Sequence, residues 1–283
     1  SLVSLALPAK EKAKSKQRRL FVMRFCGKLC ESIANLIPVN LELLLHPMSL
    51  ISSLKRKTNS WRNWATLLAN PSSFKLKVAS AKSSTILFSA NYPYEALLNI
   101  LLTGGMGYIG SHTALLLANA GHQVHIYDNL CNSNIGTLDR VQKICSKSIG
   151  FTEGDVRYTE KLTKVLRDAK IEAVIHLAGL KAVGESSQKP IEYYANNVQG
   201  SISLIQAMQA VDIKTLVFSS SATVYGDPVY LPYDEDHPTS PTNPYGRNKL
   251  QVEEILRDLS MSDKEWKIAC LRYFNPVGAH ESG

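Results

Sequence analysis

Tyr245 and Lys249 stand four residues apart in the segment Tyr245-Gly246-Arg247-Asn248-Lys249, a spacing that places both on one face of a helix. A phenol ordinarily titrates at about 10 and is a poor base at neutral pH; a neighbouring ammonium favours the phenolate. A tyrosine tuned in this way takes a proton from a substrate hydroxyl while a hydride leaves for a nicotinamide. Taken alone, Tyr-x-x-x-Lys more often marks a packed ring and a solvated lysine. It gains weight from the run Ser219-Ser220-Ser221 upstream, at the end of an apolar stretch.

A second constellation precedes both. Gly104, Gly107 and Gly110 are spaced G-x-x-G-x-x-G between an apolar run and a helical pattern. The first glycine makes the turn, the middle one lets a pyrophosphate approach the backbone, and the last lets helix and strand pack closely. The helix N-terminus supplies oriented N–H groups for the anion. Asp128 ends the next apolar run, where a carboxylate accepts hydrogen bonds from an adenosine ribose and repels a 2′-phosphate. NAD is therefore expected in preference to NADP. Asp155 follows a third, weaker run; it suits either an adenine amino group or an Asx-type turn.

These residues need a frame. Short apolar runs at residues 98–103, 123–127, 173–177, 214–219 and 267–271, with a weaker one at 148–152, read as buried parallel strands. Helical patterns at 111–120, 159–169, 191–210 and 245–259 alternate with them. The order predicts an α/β fold, a doubly wound parallel sheet of Rossmann type, with its ligand beyond the carboxyl ends of the strands.

Glycine turn, serine-rich strand end and Tyr-x-x-x-Lys in this order resemble the extended short-chain dehydrogenase/reductase family. The likeness extends to residues 103–113 (TGGMGYIGSHT), 176–186 (HLAGLKAVGES), 218–226 (FSSSATVYG), 243–249 (NPYGRNK) and 272–280 (RYFNPVGAH), and is strongest to members that epimerise nucleotide sugars. It spans residues 98–283 and leaves 1–97 unmatched. The resemblance implies NAD-dependent interconversion of UDP-galactose and UDP-glucose by transient oxidation at the sugar 4-position. It implies that Gly104, Gly107, Tyr108, Ile109 and Gly110 hold the pyrophosphate, and Asp128 and Asn129 the adenosine ribose. Asp155 and Val156 would flank the adenine, with Leu177 and Lys181 near the cofactor. Tyr245 would be the base, assisted by Ser221, with Lys249 also on the nicotinamide ribose. Tyr273, Phe274 and Asn275, with Ser221, Ala222 and Thr223, would border the nicotinamide and the sugar nucleotide. A homodimer pairing through helices 191–210 and 245–259 is a further implication.

Against that pattern, Met106 replaces a small residue in the glycine turn, Leu177 stands where Phe is frequent, and Asn248 where a small hydroxyl residue is usual. Relatives continue roughly another hundred residues beyond the sixth strand, a domain-sized stretch. The substrate part is thus expected to be largely missing. Two rivals stay open. A dehydratase or decarboxylase is one, although Thr223 is followed by Val224 and Tyr225, with no acid to expel water before Asp227. A non-catalytic NAD-binding fragment is the other.

Composition narrows the classes further. Residues 1–97 carry 15 Lys and Arg against 4 Asp and Glu, while residues 98–283 carry 17 against 20. The acidic remainder is a poor nucleic-acid surface. The first 97 residues show no sustained period and are expected to be a basic extension, disordered or outside the fold; an organelle-targeting segment would want an amphipathic Arg-rich helix at the start. The five cysteines, Cys26, Cys30, Cys131, Cys145 and Cys270, form no Cys-x-x-Cys pair, so reduced thiols in a cytoplasmic protein are expected, with no zinc site. No apolar run reaches the length that crosses a bilayer.

Overall fold

The computed structural model describes residues 97–280, together with Val3, Ser4 and Ser282. The strands are β1 (Val3–Ser4), β2 (Asn99–Thr103), β3 (Gln123–Asp128), β4 (Gly150–Glu153), β5 (Ala173–His176), β6 (Thr215–Ser221) and β7 (Lys267–Tyr273). Between them lie α1 (Tyr108–Asn119), α2 (Gly136–Cys145), α3 (Thr159–Asp168), α4 (Val183–Gln188), α5 (Pro190–Tyr193), α6 (Gly200–Gln209) and α7 (Pro244–Ser262). A π-helical segment, Tyr194–Gln199, joins α5 to α6, and one 3-10 turn, Ala222–Val224, follows β6. The strands pair in parallel in the order β1-β7-β6-β5-β2-β3-β4.

Successive strand residues serve opposite faces of this sheet. Ile100 and Leu102 join one apolar cluster with Ala114, Leu117 and Val141 of α1 and α2. Leu101 joins the other, with Leu162, Leu204, Val252 and Leu256 of α3, α6 and α7. Covered on both faces, the strands need no polar alternation, and all four residues of β5 (AVIH) are buried. Each such aliphatic side chain contributes about 1.5–3 kcal/mol by leaving water.

The chain winds outward in both directions from β2, to β3 and β4 on one side and to β5, β6 and β7 on the other. The strand order reverses between β2 and β5, which opens a crevice beyond their carboxyl ends. The long helix expected over residues 191–210 is three segments, because the backbone widens into the π turn. Helices α2 and α4 had no expectation behind them. Of the basic extension, Val3, Ser4 and Leu97 are described; Val3 and Ser4 pair with Leu271 and Arg272 of β7, and the expectation for the rest lies outside the described residues.

Candidate active site at the strand ends

The glycine turn leaves β2 and enters α1. Gly104 has φ +69°, and a Cβ there would stand 2.6 Å from the Ala178 backbone nitrogen. At Gly110 a Cβ would meet the Gly104 oxygen and the Gly105 Cα at 2.5 Å. Gly107 is different: its φ is −72°, and the nearest atom to an added Cβ is 3.4 Å away. The protein itself would admit a side chain at Gly107, so the space it leaves belongs to the cavity it faces. With the first-turn N–H groups of α1 beside it, this cradle fits a dinucleotide pyrophosphate. Met106 is 3% exposed and packs into the apolar core, away from the cavity.

Asp128, at the end of β3, is buried and closes the turn from the other side. Its Oδ2 accepts from the Met106 N–H at 3.0 Å, and its Oδ1 from the Leu130 N–H and the Ser133 hydroxyl, both at 2.9 Å. Asp155 is placed less favourably than expected. Its carboxylate accepts from Arg157 Nε and Nη2 at 2.9 and 2.7 Å, from the Arg157 N–H at 2.9 Å, and from Asn129 Nδ2 at 3.2 Å. The Arg157 guanidinium holds it down to about 2 against the opposing effect of burial. An adenine amino group would have to share an acceptor already used by four donors.

A directional chain of hydrogen bonds supports the loop after β5. Thr103 Oγ1 lies 2.6 Å from His176 Nδ1, and His176 Nε2 lies 3.0 Å from Ser201 Oγ. Ser201 donates to the Asn197 carbonyl at 2.6 Å, so Nε2 carries the proton and Nδ1 accepts from Thr103. Burial, with the Lys249 charge second, pushes His176 down to about 3 and keeps it neutral. Asn197, in the π segment, grips Leu180 with both amide atoms, accepting its N–H at 2.8 Å and donating to its carbonyl at 2.9 Å. The Tyr193 hydroxyl bonds the Ala182 N–H at 3.0 Å.

Three elements place the reactive group. Asn243 caps α7, its side chain accepting from the Gly246 N–H at 2.8 Å, with Pro244 next in the first turn. Tyr245 therefore sits in the first turn of α7 and Lys249 one turn on. The Ser221 hydroxyl, at the end of β6, hydrogen-bonds the Tyr245 phenol and lowers its pKa, but burial outweighs it and pushes the phenol above its ordinary value. Lys249 Nζ lies 5.9 Å from the Tyr245 ring centroid and 4.8 Å from that of Phe218. It donates to the Ser219 carbonyl at 2.6 Å. Held by the strand, the ammonium makes no hydrogen bond to the phenol and offers it only its charge at that distance. Burial pulls Lys249 itself down to about 8.

A cavity of about 710 Å³ joins these parts. Its wall includes Gly104, Gly107, Tyr108, Ile109 and Gly110 at one end, with Asp128, Asn129 and Val156. Leu177 and Lys181 line the middle; Ser221, Thr223, Tyr245, Lys249, Tyr273, Phe274 and Asn275 line the other end. Asp155 and Ala222 are the two expected residues outside it: Asp155 turns its carboxylate to Arg157, and Ala222 opens the 3-10 turn behind Ser221. Ser133 and the loop Ala178–Leu180 also line the wall; the first is placed by its bond to Asp128 and the second by Asn197, contacts that no motif marks. Asn248 faces no ligand space. It is fully buried with neither amide atom hydrogen-bonded. Among the described residues there is no cluster of His, Cys, Asp or Glu suited to a metal ion, and no helix long and apolar enough to cross a membrane.

Comparison with known proteins gives a consistent result. The model of the NAD dependent epimerase/dehydratase family matches residues 100–283. UDP-glucose 4-epimerase of Neisseria meningitidis is 53% identical over 186 residues, 65% of this chain and 55% of that protein. UDP-glucose 4-epimerase 2 of Arabidopsis thaliana is 52% identical over 188 residues, 65% of this chain and 54% of its own. The crystal structure of UDP-glucose 4-epimerase from Bifidobacterium longum in complex with NAD+ and UDP superposes with a TM-score of 0.64 at 50% identity, over 65% of this chain and 55% of that one. The chain spans about half the length of the curated relatives it matches.

Proposed function

The chain belongs to the NAD dependent epimerase/dehydratase family, and from that premise we propose that it interconverts UDP-galactose and UDP-glucose, with NAD held across the strand ends. The observation that carries this reading is one cavity bounded by the glycine turn and Asp128 at one end and by Ser221, Tyr245 and Lys249 at the other. The names of the relatives support the substrate, and the ligands of the Bifidobacterium longum protein support the cofactor.

Bound there, NAD would supply a reversible acceptor for the hydride at carbon 4 of the sugar. Gly104, Gly107 and Gly110, with the N–H groups of Tyr108 and Ile109, would seat its pyrophosphate. Asp128 and Asn129 would meet the adenosine ribose, and Asp155 and Val156 would flank the adenine; Leu177 and Lys181 would lie along the cofactor. Tyr245 takes the proton of the 4-hydroxyl, oriented by the Ser221 hydroxyl, and returns it once the 4-keto sugar has turned over. Lys249 holds the nicotinamide ribose and supplies positive charge beside the phenol. Ala222, Thr223, Tyr273, Phe274 and Asn275 border the sugar nucleotide. Elimination is disfavoured, because Val224 and Tyr225 are buried and Asp227 is exposed outside the cavity wall.

Assembly and place follow from the same reading. A homodimer would pair α7 with the helical run through α6, where Val198, Ile202, Leu250 and Ile255 are only half-buried. The free thiols of Cys131, Cys145 and Cys270 suit a reducing cytoplasm.

Incubating the purified protein with NAD and UDP-galactose, then separating the nucleotide sugars, tests the activity. UDP-glucose rising to equilibrium is the expected result. Cofactor binding without product would favour a second reading, an NAD-binding role alone.

A further inference from the structure

Three consecutive residues of β6 are each held by a successive turn of α7. The Ser221 hydroxyl bonds the Tyr245 phenol, the Ser219 carbonyl accepts from Lys249 Nζ, and the Ser220 hydroxyl donates to Glu253 Oε1. Tyr245, Lys249 and Glu253 are spaced by four and so share the helix face that meets the strand. The first two line the cavity; Glu253 does not.

Glu253 is also held by a bidentate ion pair. Arg272 Nε lies 3.0 Å from Oε1 and Nη2 lies 2.6 Å from Oε2, with the two side chains 0% and 6% exposed. Ser220 and Arg272 stand in register across β6 and β7. The guanidinium also covers the Tyr225 ring, 4.9 Å from its centroid. A buried ion pair of this kind is a weak source of stability, since apolar residues of like volume commonly do as well. Its presence one turn beyond Lys249 has another use.

Lys249 is buried, and burial disfavours its charge. The titratable and charged groups packed around it are Tyr245 and Glu253 on its own helix, His176 on β5 and Arg272 on β7. His176 is held neutral by burial, and Tyr245 is kept protonated by its own burial. Of the Glu253–Arg272 pair, Glu253 is the partner whose charge reaches Lys249, and it opposes the effect of burial.

We propose that Glu253 is a positioning residue of this site: anchored by Arg272 and Ser220, it fixes α7 against β6 and keeps the Lys249 ammonium charged beside Tyr245. This rests on the reading of Tyr245 and Lys249 as the proton-handling pair, and its test is independent of turnover.

The full chain, labelled with carbon-13 at lysine Cε, reports the Lys249 titration by NMR, with the signal identified by its loss in Lys249→Met. Glu253→Gln keeps the shape and the Ser220 hydrogen bond but removes the charge. The Lys249 transition is expected to fall by about one pH unit or more, and NAD affinity lost at pH 8 should return at pH 6.5. Because Glu253→Gln strands the Arg272 charge, the double variant Glu253→Gln/Arg272→Met provides a second measurement; it leaves no stranded guanidinium and is expected to keep the lowered transition. A folded variant of either kind whose Lys249 titrates at the unaltered position overturns the proposal. A lowered transition in a protein that never epimerises UDP-galactose upholds it and overturns the functional reading instead.

Discussion

Asp128 Oδ2 accepts the N–H of Met106 at 3.0 Å, so the end of β3 is tied directly into the glycine turn that follows β2. One carboxylate thereby shapes the phosphate cradle and faces the position where a ribose would lie. Asp128→Asn is expected to weaken NAD binding about ten- to hundredfold, the range for losing hydrogen bonds to a charged group. It should also narrow the preference over NADP, because the repulsion of a 2′-phosphate goes with the charge. Parallel titrations with both dinucleotides measure this; an unchanged ratio would remove Asp128 from cofactor selection.

Gly107 and Gly110 separate binding from folding. Gly107→Ala adds a methyl group where the nearest protein atom is 3.4 Å away, so stability should stay within about 0.5 kcal/mol while NAD binding falls at least tenfold. Gly110→Ala forces a Cβ to 2.5 Å from backbone atoms of the turn and should cost about 1–3 kcal/mol or more. Thermal melts and NAD titrations of the two variants would show opposite patterns.

Tyr245→Phe keeps the ring and deletes the proton acceptor. In a protein that turns over UDP-galactose, kcat should drop about a hundred- to ten-thousand-fold, with NAD affinity little changed. The sign of the pH dependence follows from the two shifts. Burial raises the phenol, so the basic form grows about tenfold per pH unit through neutrality. Lys249 loses its proton at about 8, so the rate should climb with pH and level off there. A rate that falls between pH 6 and 8 would exclude this pairing.

Asn248 is buried with both amide atoms unpaired, a cost of about 1–3 kcal/mol for each polar group left without a partner. Asn248→Ser removes the amide and leaves a hydroxyl able to bond the carbonyl one turn earlier on α7. The midpoint of thermal unfolding should rise by about 2–4 °C, the equivalent of about 1 kcal/mol for a domain of this size. A fall in the midpoint would mean that the lost volume outweighs the freed amide.

The features legible in the sequence are those whose cause is local. Gly110 needs glycine because a Cβ would strike Gly104 and Gly105 of the same turn, and Gly104 because its φ is +69°; the apolar runs of β2, β5 and β6 are buried because both sheet faces are covered. Helix α2 buries only Val141 and Cys145, too few to leave a period. Asn197 was not legible, because its role is to grip Leu180, 17 residues away, and nothing in a helical run marks that. The loss of Asp155 as a free acceptor has a similar origin: Arg157 is two residues on, but the sequence does not say which way its guanidinium turns. The four-residue step from Lys249 to Glu253 was readable; its partner Arg272, on another strand, was not.

The π turn at Tyr194–Gln199 has a geometric consequence for the loop above it. On an α-helix, residues four apart drift by about 40° per step, since each residue advances about 100°. A wider turn offsets that drift, so Tyr193, Asn197 and Ser201 all stay on the side that meets the loop. Each rung meets a different point on the neighbouring chain: Ala182, Leu180 and His176 in turn. An unbroken α-helix would turn the third rung about 80° from the first and could not serve all three. The bulge works as a straightened ladder, and removing one residue from it would take the loop, and with it part of the cavity wall, off its rungs.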